Sequence, residues 1–321
     1  MSAWTRGLTL TGVIAIALVM ASPASAQIKL KWAHVYEVTE PFHTEALWAA
    51  SEIKKRTNGK FDIEVFPASR LGNENQLNEG LGHGTVDIIY VGINFVAATY
   101  QPLGISGAPF MLRDFEHWKA YRGSKLFADL AKGYEDKTGR KIVALTYYGQ
   151  RHVTANKPIR KPEDMKGMRL RVPPVPLVRM FTQSVGAEAT PIAFSNVYDA
   201  LQQGLVDGQE NPLPTIMAKK FYEVQSHIIL TGHITESMVT VISSNFWNKL
   251  TPDEQKLFAD IMKEAAAKAT EAIEASERVL AGELRKLGMT VIEPDREAFR
   301  KAAIPLHNDA SAGAGWTRGA I

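Results

Sequence analysis

Short apolar runs alternate with amphipathic stretches along most of the chain, and this alternation constrains the fold more than any other feature. Ile28 to Ala33 reads as a strand, and Phe42 to Arg56 as a helix that stops at Asn58-Gly59. Phe61 to Phe66 and Val86 to Val91 read as strands, with a helix across Asn75 to Leu81 between them. A strand-helix-strand rhythm predicts a largely parallel sheet covered by helices, because each crossover must bury its apolar stripe against a sheet face.

A second rhythm starts at Lys141. Lys141 to Tyr147 and Met168 to Val172 read as strands, followed by helices over Leu177 to Ser184 and Val197 to Gly204. The strand-like runs Ile228 to Leu230 and Met238 to Ser243 then precede a long charged helix, roughly Pro252 to Leu287. In that helix Leu257, Ile261, Ala265, Ala269 and Ile273 recur at spacing four, so one face is buried along its length. No heptad repeat is sustained, and a spine spanning two lobes fits better than a coiled coil. A chain of 321 residues suggests two domains, with no low-complexity linker and no internal repeat between them.

Arg6, the apolar run Leu8 to Met20 and the triplet Ala24-Ser25-Ala26 form the pattern of a secretory signal peptide, with residues 1–26 removed before Gln27. The mature protein is therefore expected in the periplasm. It has no cysteine, which excludes disulfides, thiolate metal ligands and cysteine nucleophiles. The 37 basic and 34 acidic residues of the full chain are interspersed and form no stripe, so nucleic acid is not an expected partner. The tail from Ser311 to Ile321 is rich in small residues, carries no periodicity and is expected to be partly ordered at best.

Patterns that carry catalysis are missing. There is no Gly-x-Ser-x-Gly elbow, no His-Glu-x-x-His helix and no phosphate loop. Gly80, Gly82 and Gly84 follow a helix and precede a strand, the reverse of a dinucleotide fingerprint, and read as a helix end and turn. The eight histidines are dispersed without ligand spacing, so neither a metal nor another cofactor is expected. Of these only His34 and His152 stand out, the first following a strand and the second adjoining Arg151.

The most informative stretch runs from Tyr147 through Gly149-Gln150-Arg151-His152 and on to Lys166-Gly167-Met168-Arg169-Leu170-Arg171-Val172-Pro173. Arg151 falls after its strand, where ligands of open α/β sheets bind. Arg171 lies inside a short apolar run. A guanidinium buried there requires an anion, supplied either by a ligand carboxylate or by a Glu or Asp of the chain itself; the alternative is that this face of the strand is simply exposed.

The segments Lys166 to Pro173, Pro191-Ile192-Ala193-Phe194-Ser195-Asn196-Val197-Tyr198 and Ala200 to Pro212, together with Thr57-Asn58-Gly59-Lys60, Leu71-Gly72 and Phe221 to Gln225, resemble the solute-binding subunits of tripartite ATP-independent periplasmic (TRAP) transporters, the DctP family. The resemblance runs from about Ile28 through the long helix. It implies a two-lobed periplasmic binding protein fold with a ligand cleft between α/β lobes. The division expected is lobe I over residues 27–148 plus about 237–276, and lobe II over 149–236 plus about 277–321. It implies that Arg171 pairs with a ligand carboxylate, that Arg151 supplies a second basic position, that Phe194 packs beside the ligand and that Asn211 faces the cleft. Residue by residue, Phe194 is also compatible with ordinary core, and Asn211 with a turn before Pro212. The loop after the first strand reads His34-Val35-Tyr36-Glu37, and Gly92 stands where sialic-acid-binding members place an acid, so a different anion is expected. The family's usual aromatic-rich C-terminal end is missing.

Three function classes stay open at this point. A monomeric binding protein that captures a small organic acid and delivers it to TRAP membrane subunits accounts for the export signal, the cleft cations and the missing nucleophile. A secreted enzyme would need an acid/base pair, for which His34 with Glu37 is the local candidate. The binding subunit of an ATP-driven importer is the third. The polar set His34, Gln150, His152 and Asn211 favours a hydroxylated acid or a C4-dicarboxylate over an apolar ligand.

Overall fold

The structure, a computed structural model, describes residues 27–309 and 315–316. The expected signal peptide, and all of the tail from Ser311 except Gly315 and Trp316, lie outside the described residues. One nine-stranded sheet organises the chain. Its strands are β1 (Ile28–His34), β2 (Phe61–Phe66), β3 (Ile88–Gly92), β4 (Lys141–Ala155), β5 (Arg169–Val172), β6 (Glu188–Pro191), β7 (Gly208–Pro212), β8 (His227–Ile242) and β9 (Thr290–Ile292). The order is β2-β1-β3-β8-β4-β7-β5-β6, with β9 beside β8. The pairs β1/β2, β1/β3, β5/β6 and β5/β7 are parallel, as the crossover rhythm requires.

Two strands were longer than the sequence pattern suggested. The expected strand at Lys141 continues to Ala155, and the two runs near Ile228 and Met238 are one strand of 16 residues. These two pair antiparallel with each other and serve both halves of the sheet. Lys141 to Tyr147 matches Ser237 to Ile242 beside β3, and Gly149 to Ala155 matches His227 to Glu236 beside β7. Polar residues at Gly149-Gln150-Arg151-His152 hid the continuity, because period-two alternation fails where both strand faces are buried by other elements.

A register shift between Tyr147 and Gly149 kinks β4 at the junction of the halves. A bulge frees backbone N–H groups that need acceptors. The long helix, Pro252–Lys286, supplies them: Tyr147 N donates to Thr270 Oγ1 at 3.1 Å, and Gln150 N to Glu277 Oε1 at 2.6 Å. Gly149 has φ +116, and a Cβ there would stand 2.8 Å from Glu277 Oε1, so only glycine fits. The helix begins with a capping box, Thr251 with Glu254, after which Phe258, Ile261, Met262 and Ala265 pack on Leu30, Trp32 and Phe61. Farther along, Ala269, Ile273 and Leu284 join the main core, so the helix runs as the expected spine. The glycine cluster is also as expected, since the helix Glu74–His83 ends on Gly84 in the left-handed conformation.

Candidate functional site

Arg151 projects from β4 between two acids on the neighbouring strands. By register it opposes Pro212 on β7 and Ile234 on β8, which makes Glu210 and Glu236 its diagonal neighbours on either side. The guanidinium bonds both carboxylates: Nε reaches Glu210 Oε2, Nη1 reaches Glu236 Oε2, and Nη2 donates to Glu210 Oε1 at 2.8 Å and to Asn211 Oδ1 at 3.2 Å. All three charged residues are buried. His233 adds a contact from Nε2 to Glu210 Oε2 at 3.3 Å and stacks on Phe181 at 3.7 Å between ring centroids. Although burial alone would raise it, Arg151 and His233 hold the Glu210 carboxyl down at about 2. Burial pushes Glu236 the other way, above the usual carboxylate range.

Arg171 has no such partners. It sits on β5, opposite Gln209 of β7 and Thr190 of β6, and is 1 % exposed. Its Nε donates to Ile192 O at 2.9 Å, and among the described residues no carboxylate forms an ion pair with it. Burial pulls its pKa down to about 10, Arg151 adding to the fall while Glu210 and Glu74 oppose it, so it is cationic at neutral pH. A buried guanidinium without a counter-charge costs several kcal/mol.

An aromatic wall closes the same region. The Tyr36 ring lies 5.0 Å from Phe42, 5.3 Å from Tyr148 and 6.3 Å from Phe194. Lys219 Nζ stands 5.3 Å over the Phe194 ring and bonds Glu37 Oε1 at 2.8 Å. Glu40, fully buried, accepts from Thr215 Oγ1 at 2.8 Å and from Glu37 N at 2.9 Å. Its pKa is raised to about 7 by burial. His34 stacks on Tyr36 at 6.0 Å, contacts His43 at 3.2 Å, and is driven down to about 3 by burial.

Of the residues singled out from the sequence, Arg151 and Asn211 are in direct contact, with Arg171 beside them, and Phe194, His34 and Glu37 belong to the wall around Tyr36. Gln150 and His152 have other neighbours. His152 Nδ1 accepts from Gly232 N at 3.0 Å, and Gln150 Nε2 approaches Arg113 O at 3.5 Å, both near Arg296. His34 and Glu37 do not touch each other as an acid/base pair: the imidazole is held by His43 and the carboxylate by Lys219. Sequence reading passed over Glu74, Glu210, Glu236, Tyr36 and Tyr148. The signal for Glu236 was present, since a carboxylate inside the apolar run from His227 to Ile242 demands a cationic partner by the argument applied to Arg171.

Residues 32–313 match the model of the bacterial extracellular solute-binding protein family 7, DctP. The sialic acid-binding periplasmic protein SiaP of Vibrio cholerae is 30% identical over 299 residues, covering 92% of each chain. A solved TRAP periplasmic solute-binding protein of Roseobacter denitrificans with bound L-galactonate superposes with a TM-score of 0.84 at 31% identity, over 88% of this chain and 93% of that one. Another, from Polaromonas sp. JS666 and bound to D-erythronate, gives a TM-score of 0.85 at 31% identity, over 90% and 97%. No helix among the described residues is long and apolar enough to cross a membrane. A two-lobed α/β architecture with two long shared strands and a spine helix is thus found in a chain that belongs to the DctP family of TRAP-transporter solute-binding proteins, and not to an enzyme family.

Proposed function

We propose that this protein captures a small organic acid by an ion pair between the ligand carboxylate and Arg171, and delivers it to the membrane subunits of a TRAP transporter. One observation carries the reading. Arg151 is neutralised by Glu210 and Glu236, whereas Arg171 is equally buried and, among the described residues, bonds a backbone carbonyl, Ile192 O, and forms no ion pair. A carboxylate entering beside Arg171 removes the cost of that unpaired charge, and the planar fork can hold both its oxygens. Asn211 and Phe194 complete the contact as polar and packing surfaces. The acids bound by relatives, L-galactonate and D-erythronate, each offer such a carboxylate.

The lobes then divide near Tyr148/Gly149 and Glu236/Ser237, at the kink of β4 and its partner position on β8. Export follows from the leader ending at Ala26, and intact-mass measurement on a periplasmic extract should find a chain beginning at Gln27. Calorimetry and thermal-shift screening of the mature protein against an organic-acid panel test the function. A true ligand at a hundredfold excess over its Kd stabilises by roughly 2.7 kcal/mol. Saturating acids that leave the unfolding temperature unchanged would overturn the reading.

A further inference from the structure

By the division of lobes given above, residues 108–113 belong to lobe I, yet their partners lie in lobe II. Phe110 is 9 % exposed and is part of the core formed by Val153, Met165, Phe181, Ile229 and Phe299, a cluster whose other buried members all come from lobe II. The backbone around it is held from the same side. Phe110 N donates to His233 O at 2.7 Å, and His307 Nε2 donates to Pro109 O at 2.7 Å. Thr235 Oγ1 donates to Leu112 O at 3.0 Å, and Arg296 Nη2 to Arg113 O at 3.0 Å. The Arg296 guanidinium also lies 5.6 Å from the centre of the Phe110 ring.

Both ends of the segment are fastened to lobe I. On one side Gly107 ends the 3-10 helix Gln101–Gly107 against the helix Ile93–Ala97, so closely that a Cβ on it would stand 2.1 Å from Asn94 Oδ1. On the other, Asp114 Oδ1 caps the helix Phe115–Arg122 by accepting from His117 N at 2.8 Å. Within that helix the buried Trp118 donates from Nε1 to Ser237 Oγ at 2.8 Å, and its ring lies 5.2 Å from Tyr147. Residues 108–113 therefore form a hook, with both feet in one lobe and the tip in the core of the other. At the tip Phe110 has φ +58, a left-handed conformation that a bulky side chain adopts only where its surroundings enforce it. Burial of the ring and the four backbone bonds enforce it here.

Opening swings one lobe away from the other about the kink of β4 and its partner position on β8. With its feet fixed, the hook can follow only by bending or by drawing a buried aromatic ring out of lobe II, and exposing that ring is unfavourable. The state with the lobes close together is favoured accordingly. We propose that residues 108–113 are a strap that limits opening of the cleft, and that Phe110 is a positioning residue which raises ligand affinity through the orientation of the lobes. This rests on the two-lobed, closing cleft of the proposed function and adds a third connection beside the shared strands and the spine helix.

The experiment is small-angle scattering of the mature protein with and without L-galactonate or D-erythronate, together with calorimetry on the same samples. Phe110→Gly keeps the left-handed turn at no steric cost and removes only the ring. Its ligand-free radius of gyration should exceed that of wild type, its Kd should rise by about five-fold or more as the binding-competent state becomes rarer, and saturating acid should restore the wild-type radius. Phe110→Leu, which keeps an apolar plug, should stay within about two-fold of wild type in Kd. His307→Ala, which leaves the ring and frees Pro109 O, should act in the direction of Phe110→Gly and keeps the test open should that variant fail to fold. The ligand-free comparison decides the strap by itself. A radius of gyration equal to that of wild type in Phe110→Gly, or in His307→Ala where Phe110→Gly does not fold, overturns it whatever happens to the unfolding temperature, because Phe110 is then ordinary core. A wild type whose radius of gyration does not fall on binding either acid overturns the closing cleft itself, an outcome visible without any variant, and the strap falls with it.

Discussion

Arg151 and Glu210 are diagonal neighbours on adjacent antiparallel strands, joined in the protein interior by two guanidinium–carboxylate contacts, one of them Nη2 to Oε1 at 2.8 Å. That geometry makes Arg151 a structural cation. Removing it strands two buried acids, and breaking such a pair costs about 3–5 kcal/mol. Arg151→Met should lower the unfolding temperature of the ligand-free protein by roughly 6 to 20 °C, at about 2–4 °C per kcal/mol for a chain of this size. Differential scanning calorimetry without ligand checks this, and an unchanged unfolding temperature would refute the structural assignment.

Arg171 should behave in the opposite way. Without ligand, Arg171→Met removes an unpaired buried charge, and stability should stay the same or rise by about 1 kcal/mol. Binding should suffer instead: Arg171→Ala is expected to weaken it by about thirty-fold to several thousand-fold, the cost of truncating one side of a desolvated pair. Arg171→Lys should recover part of the loss, because an ammonium cannot match two carboxylate oxygens at once. Titration calorimetry on all variants decides, and loss of binding by less than about three-fold in Arg171→Ala would place the carboxylate elsewhere.

Glu277 links the long helix to the kinked strand, accepting from Gln150 N at 2.6 Å and from Tyr147 OH at 2.7 Å. Burial raises its pKa from 4.5 to about 7. A raised carboxyl pKa means the folded state holds a proton that the unfolded state has released, so this group costs stability progressively as pH rises from about 4.5 to 7 and by a constant amount above. Glu40 adds to the same slope, and His34 and His152, both lowered to about 3, oppose it. The difference between Glu277→Gln and wild type isolates the one group. It should grow in favour of the variant through that window, reaching about 1–3 kcal/mol near pH 8. Thermal unfolding at a series of pH values measures it, and a pH-independent difference would count against the buried acid.

Closure should depend on contacts that bridge the two lobes as divided above. Glu37 with Lys219, Glu40 with Thr215, and Asn75 with Pro174 each join one side to the other. Saturating ligand should reduce the radius of gyration in small-angle scattering, since binding between lobes favours the state in which both touch it. Lys219→Ala, which removes one of these bridging contacts, should weaken binding by about five-fold, the worth of a partly exposed ion pair. An unchanged radius of gyration with bound ligand would argue against a hinge.

Local sequence by itself determined much of this protein. Helix periodicity, the Thr251 capping box, the Gly84 helix end and the spacing of apolar runs reflect interactions between residues a few positions apart, and they placed the first strands and the long helix within a few residues of where they stand. Motif resemblance pointed to Arg171, Arg151, Phe194 and Asn211. Only the tertiary structure decided which arginine is free. Arg151 and Arg171 look alike in sequence, each a cation in or beside an apolar run, and what separates them is Glu210, 59 positions from Arg151, and Glu236, 85 positions away. Strand register brings those acids to Arg151 and leaves Arg171 without an ion pair among the described residues. A side chain's electrostatic partners are set by which strands lie next to it, and no local pattern carries that information.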